Sequence, residues 1–121
     1  MEYLISIIKI IIAVSIINVW LIRFKKPTTW RGNNAGNMKE EFKAYGLPEW
    51  LMYAVGTLKV FLSLSLIVSI YFRELEIPSA CGIAFLMLIA ILMHIKIGDP
   101  IKKSLPAFIF LSLSLFVALV Q

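Results

Sequence analysis

The sequence lacks most of what a soluble enzyme or a secreted domain needs. It has one cysteine, Cys81, and one histidine, His94, among 121 residues. A single cysteine excludes an intramolecular disulfide and a thiolate metal cage, and a single histidine excludes bis-histidine haem or three-histidine zinc ligation within one chain. Motifs for phosphate-binding loops, catalytic serine elbows and zinc peptidases are missing as well. We therefore expect no self-contained active site, no catalytic residue and no metal site.

Charge is also scarce, because only 16% of the residues are charged while 60% are apolar. A soluble domain is about 45–50% apolar and about 25% charged. A chain of this composition cannot cover its apolar surface with polar groups, which indicates a membrane protein. Twelve Lys and Arg against seven Asp and Glu could suggest nucleic acid. Since the basic residues lie between apolar runs, we instead expect the lipid bilayer as partner and no nucleic acid.

Four long apolar runs predict an all-α membrane protein with a four-transmembrane-helix bundle in a single domain, residues 1–121. A helix rises 1.5 Å per residue, so about 20 residues cross a hydrocarbon core of about 30 Å. Asp99 and Pro100 form a suitable N-cap and first residue for the last helix. The predicted helices cover about residues 3–22, 50–72, 78–96 and 100–120.

The inner loop, residues 23–49, contains the pattern of a short amphipathic helix at about 38–45. Asn37 is a suitable N-cap, with Glu40 as its capping-box partner, and Gly46 suits the end of the helix. The apolar face recurs at helical spacing in Met38, Phe42 and Tyr45. An apolar face does not distinguish a helix lying on lipid from one packed under the bundle, so both alternatives stay open.

Basic residues are concentrated in two loops that share one side of the membrane. The nine are Arg23, Lys25, Lys26, Arg31, Lys39, Lys43, Lys96, Lys102 and Lys103. The other side has only Arg73. The positive-inside rule therefore places the basic loops in the cytoplasm and both termini outside, in the cell's inner (plasma) membrane. Trp20, Trp30 and Trp50 flank the inner boundary, as expected of an interfacial aromatic belt.

Lys59 is the most informative polar residue, since it lies about 13 Å along the second helix, near the membrane midplane. A lone Lys there costs about 2.5–3.5 kcal/mol, so it should face the bundle interior. A functional role and a structural pairing both remain open for it. Lys9 lies near the outer end of the first helix, and we predict that it snorkels outward to the headgroups.

Further polar residues from three helices and the inner loop occur at a similar depth on the inner side. This asymmetry predicts an inner-side polar pocket, although common depth does not establish contact. The ligand-binding candidates are Lys59, His94, Asn18, Tyr45, Arg31, Asn37, Glu41 and Asp99.

Several motifs in this chain are also characteristic as a set. The most specific are Asn37-Met38-x-x-Glu41-Phe42-x-x-Tyr45-Gly46-Leu47-Pro48 and Lys103-Ser104-Leu105-Pro106-Ala107, joined by Gly56-Thr57-Leu58-Lys59, Met93-His94 and Asp99-Pro100. In these motifs the chain resembles the DoxX-like family of small four-helix membrane proteins. The resemblance implies a four-helix fold and a link to membrane oxidoreductase complexes, one of which is a thiosulfate:quinone oxidoreductase. By resemblance, too, Arg31, Asn37, Glu41, Tyr45, Lys59, His94 and Asp99 become site candidates.

Three functions follow as hypotheses. We favour an accessory subunit of a quinone-linked membrane redox complex, whose pocket takes a quinone or a similar lipid headgroup and whose electrons come from a partner. The alternative is a non-catalytic assembly or stability factor for other membrane proteins. A small anion transporter is less favoured. No covalent cofactor is expected, and the small interface within one copy suggests a homo-oligomer or a membrane-protein partner.

Overall fold

The computed structural model describes residues 2–22, 24–25 and 35–120, and the regular secondary structure of these residues is helical, with no strands. The α-helices are α1 (Glu2–Ile17), α2 (Met38–Ala44), α3 (Glu49–Val68), α4 (Glu76–Lys96) and α5 (Leu105–Leu119). A π-helical turn, Asn18–Ile22, extends α1, and 3₁₀ turns at Arg73–Leu75 and Ile101–Ser104 precede α4 and α5. The predicted fold class, a four-helix membrane bundle with a short helix in the first loop, is confirmed.

The four long helices are long and apolar enough to cross a membrane. The main helix contacts are α4 with α5, α1 with α3, and α3 with α4. Fully buried side chains such as Ile12, Leu66 and Ile83 form the core, while large apolar side chains such as Phe61 and Phe85 are exposed on the outside. An apolar exterior around a packed interior is what a lipid environment requires, so the chain is a multi-pass membrane protein.

The two ends of the bundle differ in charge. One end, called here the basic end, comprises residues 24–25, 35–48 and 97–104. The opposite end, called here the terminal end, comprises both ends of the described chain and the turn at residues 69–75. Residues 23 and 26–34 lie outside the described residues.

The start of the last helix differs from the prediction. Pro100 is extended (φ −57°, ψ 146°), residues 101–104 form the 3₁₀ turn, and α5 begins only at Leu105. The Asp99–Pro100 cap is therefore wrong, because the Asp99 carboxylate is bound by His94 (Nδ1 to Oδ2, 2.8 Å) and does not cap the helix. Pro106 lies in the first turn of α5, where a missing backbone N–H leaves no helical bond unmade.

Glycine ends two helices at the basic end. Gly46 after α2 and Gly98 after α4 have φ of 77° and 73°, a left-handed conformation that glycine adopts without a steric penalty. The prediction that Gly46 ends the short helix is confirmed. After α4, the Asp99 N–H donates to the His94 carbonyl at 3.0 Å, which folds Asp99 back beside the imidazole.

Lys9 does not snorkel outward. It is 3% exposed, its Nζ lies 2.8 Å from Glu76 Oε1, and the same nitrogen donates to the Ser69 carbonyl at 3.4 Å. The snorkelling prediction is wrong because the turn between α3 and α4 brings Glu76 to the depth of Lys9. A buried cation in hydrocarbon is stabilised by such a partner in the bundle interior.

Removing one partner of this pair should be far more harmful than removing both. We expect Lys9→Met or Glu76→Leu to lower the free energy of unfolding by about 3–5 kcal/mol, since each leaves the other charge of the pair buried and uncompensated. The double variant Lys9→Met/Glu76→Leu should recover most of that loss. Equilibrium unfolding in detergent measures the cycle, with Lys43→Met on the exposed face of α2 as control. Additive single effects would show that the pair is not coupled.

Candidate functional site

A cavity of about 730 Å³ occupies the half of the bundle that faces the basic end. Its walls come from α1, α2, α3, α4 and α5, and most of them are apolar side chains such as Phe42, Val55 and Met87. The polar lining residues are Ser15, Asn18, Glu41, Tyr45, Lys59, His94 and Lys103. This size and this mixture of an apolar wall with a few polar groups are typical of small-molecule sites.

The π-helical turn at the end of α1 carries three residues of this wall, Asn18, Val19 and Trp20. Such turns add a residue to a helix and often occur at functional sites. The Trp20 indole lies directly on Gly56 of α3, where an added Cβ would be 2.5 Å from two ring carbons. Only glycine therefore allows the indole to approach α3 this closely.

Lys59 lies one turn after Gly56 and places its ammonium over the same indole. The Nζ atom is 5.3 Å from the Trp20 ring centroid, within the range of a cation–π interaction. The Glu41 carboxylate on α2 also acts electrostatically on Lys59. An aromatic face and a carboxylate thus offset part of the cost of removing this cation from water.

A chain of polar contacts leads from the cavity to the turn after α4. The Tyr45 hydroxyl donates to Glu41 Oε1 at 2.8 Å and lies 3.4 Å from His94 Nε2. On the other side of the imidazole, Nδ1 lies 2.8 Å from Asp99 Oδ2. A carboxylate accepts a hydrogen bond, so this contact fixes the proton on Nδ1 and leaves Nε2 facing the phenol. The Tyr45 proton then has two acceptors in reach, Glu41 and His94.

Helix α2 packs under the bundle, which decides between the two alternatives for it. Its apolar residues Met38, Phe42 and Tyr45 are buried. The Phe42 ring meets Trp20 edge-on at 6.0 Å, and Tyr45 meets His94 edge-on at 5.8 Å. At the end of α2, Lys96 Nζ donates to the Tyr45 carbonyl at 3.1 Å. The lysine cation is well placed there, because helix carbonyls at a C-terminus carry partial negative charge.

On its exposed side, α2 is joined to the start of α3 by Lys39 and Glu49, whose charged atoms are 3.1 Å apart. The hydrogen bond from Lys39 to Glu49, together with the charge of that carboxylate, raises the pKa of Lys39. Because both side chains are largely exposed, this pair adds little to stability. The position of α2 therefore depends mainly on its buried face.

The structure brings most of the predicted site residues to one cavity. Those that line it are Asn18, Glu41, Tyr45, Lys59 and His94. Asp99 joins them through its contact with His94. Asn37 has a different role, because its side chain accepts from the Glu40 N–H at 2.9 Å and caps α2. Arg31 lies outside the described residues.

Sequence reasoning missed three residues of this region: Trp20, Lys96 and Lys103. Trp20 was expected in the interfacial belt, yet it is buried and forms part of the cavity wall. A signal for this was available, because a glycine one turn before Lys59 indicates a close approach by another group. Lys96 was counted only as a loop charge, and Lys103 as a loop charge and a motif residue, and no local pattern indicates that either belongs to a cavity.

The fold and this cavity define a class, a multi-pass helical membrane protein whose bundle contains a largely apolar cavity with a few polar side chains. Residues 29–117 match the model of the DoxX-like family, and the chain belongs to that family. This confirms the resemblance carried by the motifs. The matched segment includes Lys59, His94 and Asp99, whereas Asn18 and Trp20 precede it. No curated protein and no solved structure was found that matches the chain.

The close contact between Trp20 and Gly56 predicts that even a methyl group at position 56 is harmful. Gly56→Ala should displace the indole and lower the free energy of unfolding by about 1–3 kcal/mol, as overpacking does. Gly82→Ala is the matched control, since its Cβ would meet only the flexible end of Leu62 at 2.9 Å. Unfolding in detergent and the emission of Trp20, with Trp30 and Trp50 replaced by Phe, measure both effects. Equal results for the two variants would contradict the role given to Gly56.

Proposed function

We propose that the protein is an accessory subunit of a quinone-linked membrane redox complex and that its cavity binds a quinone headgroup. The observation that supports this most is the meeting of Lys59 and the Tyr45–His94 contact in one apolar cavity. A quinone headgroup is a flat apolar ring with two carbonyl acceptors. It needs flat apolar walls and hydrogen-bond donors, and it must be reached from within the bilayer.

The cavity offers both the donors and the flat apolar walls. The Lys59 ammonium and the Asn18 amide can donate to carbonyl oxygens, and the rings of Trp20 and Phe42 supply flat walls. Glu41 can accept a hydrogen bond from the hydroxyl of the reduced form. We assign binding roles to these residues and a catalytic role to none of them.

The row of polar contacts from Asp99 through His94 to Tyr45 suits a reaction that takes up protons, as quinone reduction does. Reduction of a quinone to a quinol takes up two electrons and two protons. The contacts from Asp99 through His94 to Tyr45 lead from the turn at the basic end to the cavity, so protons can pass along them. One cysteine and one histidine cannot ligate an iron–sulfur cluster or a bis-histidine haem. The electrons would therefore come from a partner subunit that carries a redox centre.

Binding is tested by mass spectrometry of organic extracts from the protein purified in mild detergent. We expect quinone to co-purify with the wild type and to fall about tenfold in Lys59→Met, which loses one charged donor, a contribution of about 1.5–3 kcal/mol. The matched control is Lys43→Met, which removes the same charge from the exposed face of α2 and should leave the quinone in place.

Two outcomes would contradict the proposal. Bulk phospholipid without quinone in every sample would leave Lys59 structural and favour the alternative of an assembly factor. Equal quinone in wild type and Lys59→Met, at equal yield of folded protein, would remove Lys59 from the binding site.

We also propose that the basic end faces the cytoplasm of the cell's inner membrane and that both termini lie outside. In a Cys81→Ala background, Tyr71→Cys at the terminal end should react with an impermeant maleimide in intact cells. Lys102→Cys at the basic end should react only after permeabilisation, because the positive-inside rule retains basic loops. The reverse labelling pattern would overturn this orientation.

A further inference from the structure

A second cavity also borders Trp20 and opens sideways from the bundle. It is a groove of about 820 Å³ between the end of α1 and one face of α3. Its α3 side includes Tyr53, Thr57, Phe61 and Leu64, which recur at helical spacing. Tyr53, Phe61 and Leu64 are each more than half exposed, so the groove is open to the surrounding lipid.

The groove runs along the membrane normal and changes character with depth. From Tyr53 to Leu64 the helix rises about 16 Å, close to the thickness of one hydrocarbon leaflet, about 15 Å. The deep end is formed by Phe61 and Leu64 and is apolar. The shallow end, at the basic end of the bundle, has Lys25 beside the stacked rings of Phe24 and Tyr53, whose centroids are 6.3 Å apart.

The charge at the shallow end is positive. Lys25 is exposed, and in the sequence it stands between the basic residues Arg23 and Lys26. The Glu49 carboxylate, which accepts a 3.5 Å hydrogen bond from Tyr53, is already paired with Lys39 at 3.1 Å. An anionic group at the shallow end would therefore meet the Lys25 cation. Neither of these two contacts of Glu49 neutralises the charge of Lys25.

We propose that this groove binds one anionic glycerophospholipid, with an acyl chain along α3 and the phosphate at Lys25. The Thr57 hydroxyl lies about 6 Å deeper along the helix than Tyr53, at the level where an ester carbonyl follows the phosphate. The bound chain contacts Trp20, which lines this groove as well as the first cavity. The proposal stands independently of the quinone, since it uses neither Lys59 nor the polar chain.

The test uses quenching of Trp20 fluorescence by brominated lipids, with Trp30 and Trp50 replaced by Phe. The protein is reconstituted into phosphatidylcholine vesicles that contain either phosphatidylglycerol or phosphatidylcholine brominated in the first third of one acyl chain. We expect the brominated phosphatidylglycerol to quench at about fivefold lower mole fraction, since one lysine near an anionic surface contributes about 1 kcal/mol. Lys25→Met should abolish this preference, and Lys43→Met should retain it. Thr57→Phe, which fills the groove, should reduce quenching by both lipids.

Three results would overturn the proposal. Equal quenching of wild type by both lipids would mean that the groove holds ordinary, unselected lipid. An equal loss of preference in Lys25→Met and Lys43→Met would assign the effect to general surface charge. Absence of quenching by either lipid would mean that a second copy of the chain or a protein partner covers the groove.

Discussion

A charged side chain inside a bilayer must be satisfied by the bundle itself, and the structure depends on how α4 meets this requirement. Near the start of α4, Glu76 Oε1 lies 2.8 Å from the Nζ atom of Lys9 in α1. Near its end α4 supplies His94, which contacts Tyr45 beside α2 and Asp99 in the following turn. Because lipid offers no competing hydrogen bonds, these contacts fix the mutual depth of the helices as well as stabilising them.

The candidate site is built largely from the ends of helices. The π-helical turn at the end of α1 carries Asn18 and Trp20, and the glycine turn after α4 returns Asp99 to His94. Backbone geometry at a helix end can thus place a polar group that a regular helix would direct elsewhere. The midsections of the spanning helices supply mostly apolar walls, with Lys59 as the principal exception.

The sequence predicted the elements of this fold well because they rest on local signals. Apolar runs of membrane-spanning length predict the four long helices, and Asn37 with Gly46 predicts the limits of the short one. The failures come from side-chain pairings that form in the folded bundle. The partnership of Lys9 with Glu76 spans 67 positions, and the binding of Asp99 by His94 removes a cap that its sequence favours. Likewise, the polar residues of the site were identifiable as rare types in an apolar chain, but their arrangement around the helix axes depends on tertiary packing.

Helix α2 has seven residues, which is too few to be stable in isolation. It is retained by the burial of Met38 and Phe42, by the bond from the Met38 N–H to the Phe24 carbonyl, and by Lys96. Because these attachments belong to one short segment, α2 should open as a single cooperative unit, at a lower free energy than global unfolding. Glu41 and Tyr45 leave the cavity together in that opened state. The four spanning helices and α2 are thus two units of different stability, and the cavity is complete only while both are folded.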